Sequence, residues 1–108
     1  MRATRTLIFL GLVGLPLLAY ARGDSAAGEQ KATQVCAACH GPDGNSPNGQ
    51  FPNLAGQYED YLIHALESYQ NGRRTNPVMV GIAQPLTAQE IKDLAAYYST
   101  RKGLRVAR

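Results

Sequence analysis

The chain has 108 residues, of which 44% are hydrophobic and 18% are charged, and its formal net charge is +3. This length limits it to one domain of ordinary size. The positive charge does not indicate nucleic-acid binding, because residues 22–100 carry eight acidic and five basic side chains and the surplus lies at the two ends.

The first 21 residues have the pattern of a secretory signal peptide. Arg2 and Arg5 precede an almost purely apolar run over residues 7–18, and residues 19–21 read Ala-Tyr-Ala, a small-residue cleavage site. The run is well short of the roughly 20 residues that span a bilayer, which disfavours the alternative of an uncleaved membrane anchor. We therefore predict cleavage after Ala21, export to the periplasm, and no transmembrane segment in the mature chain.

The first helix of the mature chain is predicted to end in a haem attachment motif. Either Asp24 or Ser25 is a good N-cap, and the helix is expected to continue to residues 36–40. There the chain reads Cys36-Ala-Ala-Cys39-His40, the C-x-x-C-H signature of c-type haem attachment. Two thiols at this spacing can each bond one vinyl group of the porphyrin, and the adjacent imidazole can ligate the iron.

A redox pair, a zinc site and a disulfide each account less well for the two cysteines. A thioredoxin-like redox pair needs a βαβ context, which the surrounding pattern lacks. A zinc site needs four ligands, usually from two separated pairs. A plain disulfide, common in exported proteins, gives no role to the following histidine. A small mature chain with no tryptophan also needs a staple or cofactor to complete its core, which a haem would supply.

Two further helices follow a loop. Residues 41–56 are rich in Gly, Pro, Asn and Ser and are predicted to be irregular. The second helix is predicted over residues 59–71, ending at Gly72 as its C′ residue. The third begins with a capping box in which Thr87 and Glu90 satisfy free amides. Its expected apolar stripe consists of Ile91, Leu94, Ala95 and Tyr98.

Met79 is the expected second axial ligand of the iron. Histidine and methionine are the common partners of c-type iron, and Met79 is the only methionine left after removal of the signal peptide. It lies in residues 73–86, a stretch that Pro77 and Pro85 are predicted to keep non-helical. The alternatives are that Met79 only fills the core, or that His64 is the ligand. His64 lies off the apolar stripe of its helix and is expected to face solvent.

Together these motifs resemble a class I cytochrome c, and more narrowly a single-haem, single-domain member of the bacterial cytochrome c4/c553 group. The resemblance implies an all-α fold in which three main helices and loops wrap around one covalent haem c over residues 22–100. The basic tail, residues 101–108, has no counterpart in the family that we can name. The matching segments are Cys36-Ala-Ala-Cys-His-Gly-Pro-Asp-Gly-Asn-Ser, Phe51-Pro-Asn-Leu-Ala-Gly-Gln, Tyr61-Leu, Gly72-Arg-Arg, Met79 and Glu90-Ile-Lys-Asp-Leu-Ala-Ala-Tyr-Tyr-Ser.

The resemblance also assigns roles to individual side chains. It implies thioether bonds from Cys36 and Cys39, with His40 and Met79 as axial ligands of the haem iron. It further implies that the carbonyl of Pro52 accepts the second ring N–H of the axial histidine, which fixes the tautomer and raises the basicity of the ligand.

The same resemblance implies that the first helix packs against the last, with Leu94 and Tyr97 pressing on Gly28. Glycine within a helix costs about 1 kcal/mol relative to alanine, so a close helix contact would explain its presence.

An iron with both axial positions filled has no site for a substrate, which predicts an electron carrier rather than an enzyme. We expect redox protein donors and acceptors to bind through a small, transient interface. A weak homodimer is left open. One alternative is a haem subunit of a larger redox enzyme, with the basic tail as a docking strip. The other is a peroxidase or gas sensor, which would require Met79 to be unbound.

Overall fold

In the computed structural model, the described residues are 21–104 together with Gly11 and Gly14. The rest of the predicted signal peptide and the last four residues of the tail lie outside them. The described part contains five helices and no strand, which confirms the all-α prediction, and none of these helices has the length and apolarity to cross a bilayer. The helices are α1 (Ser25–Val35), α2 (Ala37–His40), α3 (Glu59–Gln70), α4 (Pro77–Ala83) and α5 (Ala88–Ser99).

The first and last helices pack directly against each other. The Asp24 carboxylate caps α1 by accepting from the N–H groups of Ala26 and Ala27, and the Asp24 N–H donates to the Asp93 carboxylate at 2.7 Å. At Gly28 an added Cβ would overlap the carbonyl of Asp93 and lie 2.9 Å from the Cβ of Tyr97. The predicted close contact is thus confirmed for Tyr97, although its tightest point is the α5 backbone at Asp93 rather than Leu94.

The core lies mainly on α5. The capping box is present as predicted, since Glu90 accepts from the Thr87 N–H at 2.9 Å and the Thr87 hydroxyl accepts from the Glu90 N–H at 3.1 Å. The predicted apolar stripe of α5 is buried, as is Tyr97 beside it, and α3 contributes Leu62 to the same cluster. The second predicted helix also agrees with the structure: α3 ends at Gln70, and Gly72 follows with a φ of 83°.

The prediction that residues 73–86 are non-helical is wrong. Residues Pro77–Ala83 form α4, a helix of seven residues. The Asn76 side chain caps it by accepting from the N–H groups of Val78 and Met79 at 3.1 and 3.2 Å. Pro77 occupies the first turn, where no intrahelical bond needs its missing N–H. The proline therefore starts a helix here rather than preventing one.

The loop between α2 and α3 is irregular, as predicted, and is held by backbone hydrogen bonds. The Gly44 carbonyl accepts from the N–H groups of Leu54 and Ala55, and the Gly56 N–H donates to the Tyr98 carbonyl at 2.9 Å. The N–H of Leu104 donates to the Ala55 carbonyl at 2.8 Å, so residues 101–104 run along this loop.

Candidate functional site

The two cysteines and the neighbouring histidine lie on one short helical turn. The predicted first helix is interrupted at Cys36, where α1 ends and the four-residue α2 begins. The carbonyl of Cys36 accepts from the N–H groups of Cys39 and His40 at 3.2 and 3.0 Å. Both thiols are free and partly exposed, whereas His40 is only 6% exposed. The turn therefore places two free thiols beside a fixed imidazole.

The orientation of the His40 ring is set by the chain itself. Its Nδ1 lies 2.8 Å from the carbonyl oxygen of Pro52, and the Phe51 ring packs edge-on at 6.4 Å between centroids. A carbonyl oxygen can only accept, so Nδ1 carries the hydrogen and donates it. The neutral ring then has its lone pair on Nε2, the form that ligates a metal. The contact with Pro52 that the resemblance implied is confirmed.

Met79 lies on α4, at the third position after the Asn76 cap, and its side chain is partly exposed. Gln70 at the end of α3 donates from Nε2 to the carbonyls of Ala83 and Leu86, at 2.9 and 2.8 Å. The Gln84 side chain donates from its own Nε2 to the backbone carbonyl of Gln70 at 3.1 Å. Together with the Asn76 cap, these amides fix the helix that carries Met79 at both of its ends. No local motif in the sequence marks Gln70 or Gln84 for this role.

The four predicted site residues form two groups. Cys36, Cys39 and His40 share one turn, and α2 packs against α1. Met79 stands apart on α4, which packs against α3. His64 is exposed on α3, as expected for a histidine that faces solvent.

The first cysteine lies against the core and beside a buried tyrosine. Burial raises the pKa of the Cys36 thiol, and the neighbouring Tyr98 hydroxyl opposes that shift. Burial likewise holds the pKa of Tyr98 well above its ordinary value. No atom in residues 21–104 is placed to form a well-aligned hydrogen bond with this hydroxyl. The sequence places Tyr98 in the apolar stripe of α5 but carries no signal of its position beside the thiol.

The donor atoms fit a covalently attached haem. They comprise two free thiols three residues apart, an imidazole with a free Nε2, and a thioether on a separate element. Apolar side chains on α4 are also partly or largely uncovered, with Val78 63% exposed and Ile82 intermediate. Exposed apolar surface of this kind is suited to cover a flat apolar cofactor. Within the described ranges, no group of three or more His, Cys, Asp or Glu side chains is placed to hold a metal ion alone.

Comparison with known proteins agrees with this chemistry. Residues 25–102 match the family model described as Cytochrome c. Cytochrome c4 of Pseudomonas aeruginosa is 49% identical over 96 residues, which cover 89% of this chain and 46% of that protein. Cytochrome c-554(548) of Halomonas halodenitrificans is 42% identical over 83 residues, which cover 74% of this chain and 99% of that protein.

A solved structure shows the same fold. The reduced recombinant cytochrome c4 from Pseudomonas stutzeri superposes with a TM-score of 0.70 at 44% identity, covering 76% of this chain and 47% of the other. The chain thus spans about half the length of the cytochrome c4 proteins that it matches. Proteins of this type bind haem c and its iron covalently, and the present chain supplies the two cysteines. With the family match covering most of its length, this chain belongs to the cytochrome c family.

Proposed function

We propose that this protein carries single electrons between redox partners in the periplasm, through one covalently bound haem c. Cys36 and Cys39 attach the cofactor, and His40 and Met79 ligate its iron. The observation that carries the proposal is the hydrogen bond from His40 to the Pro52 carbonyl, which leaves Nε2 free on a buried ring beside two free thiols.

The residues of the chain account for the chemistry of such a carrier. When bound, haem c supplies an iron that alternates between Fe(III) and Fe(II). The Pro52 carbonyl holds His40 in one tautomer and makes its Nε2 a better donor. The thioether of Met79 favours the reduced metal and raises the potential relative to harder ligands. With both side chains in place no position is left for a substrate, so the protein needs no catalytic residue of its own.

The cellular setting belongs to the same proposal. The signal-peptide pattern supports export, after which donor and acceptor proteins would dock transiently, without a membrane-spanning segment and without nucleic acid. The second candidate is a haem subunit of a larger periplasmic or membrane-associated redox complex. Gel filtration of the native cell extract separates the two: a low-mass peak alone supports the free carrier, and co-migration with a large complex supports the subunit. A peak at twice the monomer mass would show a homodimer.

The cofactor and its ligands are tested on the exported protein. We expect its mass to exceed that of the processed polypeptide by one haem. A far-red band from sulfur–iron charge transfer is expected in the oxidised protein, and no spectral change when carbon monoxide is added to the reduced protein. Met79→Leu should abolish the far-red band and allow carbon monoxide to bind.

The matched control is His64→Gln, which should change neither property because that side chain is exposed on α3. A mass equal to that of the bare polypeptide would refute the whole proposal. Carbon monoxide binding by the wild-type protein would refute ligation by Met79 and favour a sensor or peroxidase.

A further inference from the structure

Tyr98 has a polar group that the helix contacts do not explain. Its side chain is 3% exposed and belongs to the core cluster, against which Cys36 packs. Its ring lies so close to Gly44 that a Cβ there would be 2.7 Å from the ring carbon Cδ1. The ring is therefore tightly packed in the core, and its hydroxyl oxygen is buried from solvent.

This hydroxyl is buried without a hydrogen-bond partner among residues 21–104. Leaving a buried hydroxyl unsatisfied costs about 1–3 kcal/mol, and phenylalanine would avoid that cost. The neighbouring Tyr97 shows the usual solution, since its hydroxyl donates to the Pro42 carbonyl at 2.9 Å. Among residues 21–104 the group beside this hydroxyl is the Cys36 side chain, and the two do not form a well-aligned hydrogen bond in the free chain.

Cys36 is the sulfur beside that hydroxyl, and attachment changes what this sulfur can do. A thiol is both a weak donor and a weak acceptor, whereas a thioether is an acceptor only. Formation of the thioether bond therefore turns the sulfur into a group that suits the single donor of the tyrosine.

We propose that Tyr98 is a positioning residue for the cofactor, whose hydroxyl donates a hydrogen bond to the Cys36 sulfur once that sulfur is a thioether. This inference rests on the proposed attachment at Cys36. The bond would fix the first thioether against the core. It would also draw electron density from the edge of the macrocycle, which favours the reduced state because hydrogen bonds around a haem tune its potential.

The test is Tyr98→Phe in the holoprotein, with Tyr97→Phe as the matched control on the same helix. The control removes the hydrogen bond to the Pro42 carbonyl and so measures how far the loss of any tyrosine hydroxyl bond on α5 shifts the potential. We expect Tyr98→Phe to lower the midpoint potential by more than the control does. The ratio of unfolded to folded protein should rise about three- to tenfold, as for the loss of one hydrogen bond.

A second measurement uses the unaltered protein. In the reduced, diamagnetic state, the Tyr98 hydroxyl proton should exchange slowly with solvent and show a nuclear Overhauser contact to the Cys36 β-hydrogens. An unchanged potential in Tyr98→Phe, or a shift no larger than that of the control, overturns the proposal. So does the absence of a protected hydroxyl proton. If instead the wild-type mass contains no haem, the proposed function itself has failed, and that result is seen before any variant is made.

Discussion

Gly28→Ala is the sharpest test of how the two terminal helices meet. By helix propensity alone, alanine should stabilise α1 by about 1 kcal/mol. The structure predicts the opposite sign, because the added Cβ would overlap the Asp93 carbonyl on α5. That carbonyl is backbone and cannot move aside as a flexible side chain would, so α1 and α5 must separate.

The expected magnitude follows from three contributions. Overpacking of a well-filled contact costs about 1–3 kcal/mol. Separation of the helices also strains the bond from the Asp24 N–H to the Asp93 carboxylate, and hydrogen bonds to charged groups contribute about 1.5–3 kcal/mol. Since the helix gains about 1 kcal/mol, we expect a net loss of about 3 kcal/mol in the free energy of unfolding.

The assay is guanidinium unfolding of the holoprotein, followed by circular dichroism. The control is the pair Gln30→Ala and Gln30→Gly, at an exposed position in the same helix. There alanine should be more stable than glycine by about 1 kcal/mol. If Gly28→Ala unfolds at the same or a higher denaturant concentration than wild type, the close helix contact is not as the structure has it.

Three further predictions concern Met79 and the pH response. Asn76→Ala should lower the free energy of unfolding by about 1 kcal/mol and weaken the far-red band expected from the proposed ligation by Met79, and Asn76→Asp should restore both, because either a carbonyl or a carboxylate oxygen caps α4. Gln70→Ala leaves the carbonyls of Ala83 and Leu86 without their donor. We expect it to lower the free energy of unfolding, measured by denaturation, by about 1–3 kcal/mol and to make the reduced holoprotein bind carbon monoxide more readily. The Lys31 ammonium, 2.8 Å away, holds the pKa of Glu90 below its ordinary value, so stability should fall as the pH drops through that lowered pKa. Glu90→Gln keeps the capping box and should flatten this acid slope, whereas an unchanged slope would contradict the assignment.

Local sequence signals predicted much of the fold because each depends only on interactions within a few neighbouring residues. The capping box at Thr87 needs only its own turn, and Gly72 needs only the freedom to adopt a positive φ. The wrong assignment at α4 came from treating Pro77 as a helix breaker, whereas the interruption of the first helix at Cys36 has no breaker residue to signal it. The dipeptide Asn76-Pro77 carries the usual start signal of a cap followed by a proline, and could have been recognised.

The site was predictable only as far as its motif extends. Cys36, Cys39 and His40 follow from one pentapeptide, and the Pro52 carbonyl followed from resemblance. The Tyr98 hydroxyl was not predictable, because its environment depends on contacts between residues more than 60 positions apart. The same is true of Asp93, a buried carboxylate on α5 that accepts from the backbone ahead of α1. A carboxylate at such a position looks like an ordinary surface residue in the sequence.

The contact between α1 and α5 also has a consequence for the order of assembly. The helix directly before the cysteines, α1, packs on a helix that is made much later, and the bond from Asp24 to Asp93 joins positions 69 residues apart. Contacts of such long range form late, because the entropy of closing the intervening loop must first be overcome. A nascent chain that still lacks α5 cannot yet pack α1 and Cys36 into the core, so we expect the proposed attachment of a cofactor at the two cysteines to precede the docking of the last helix.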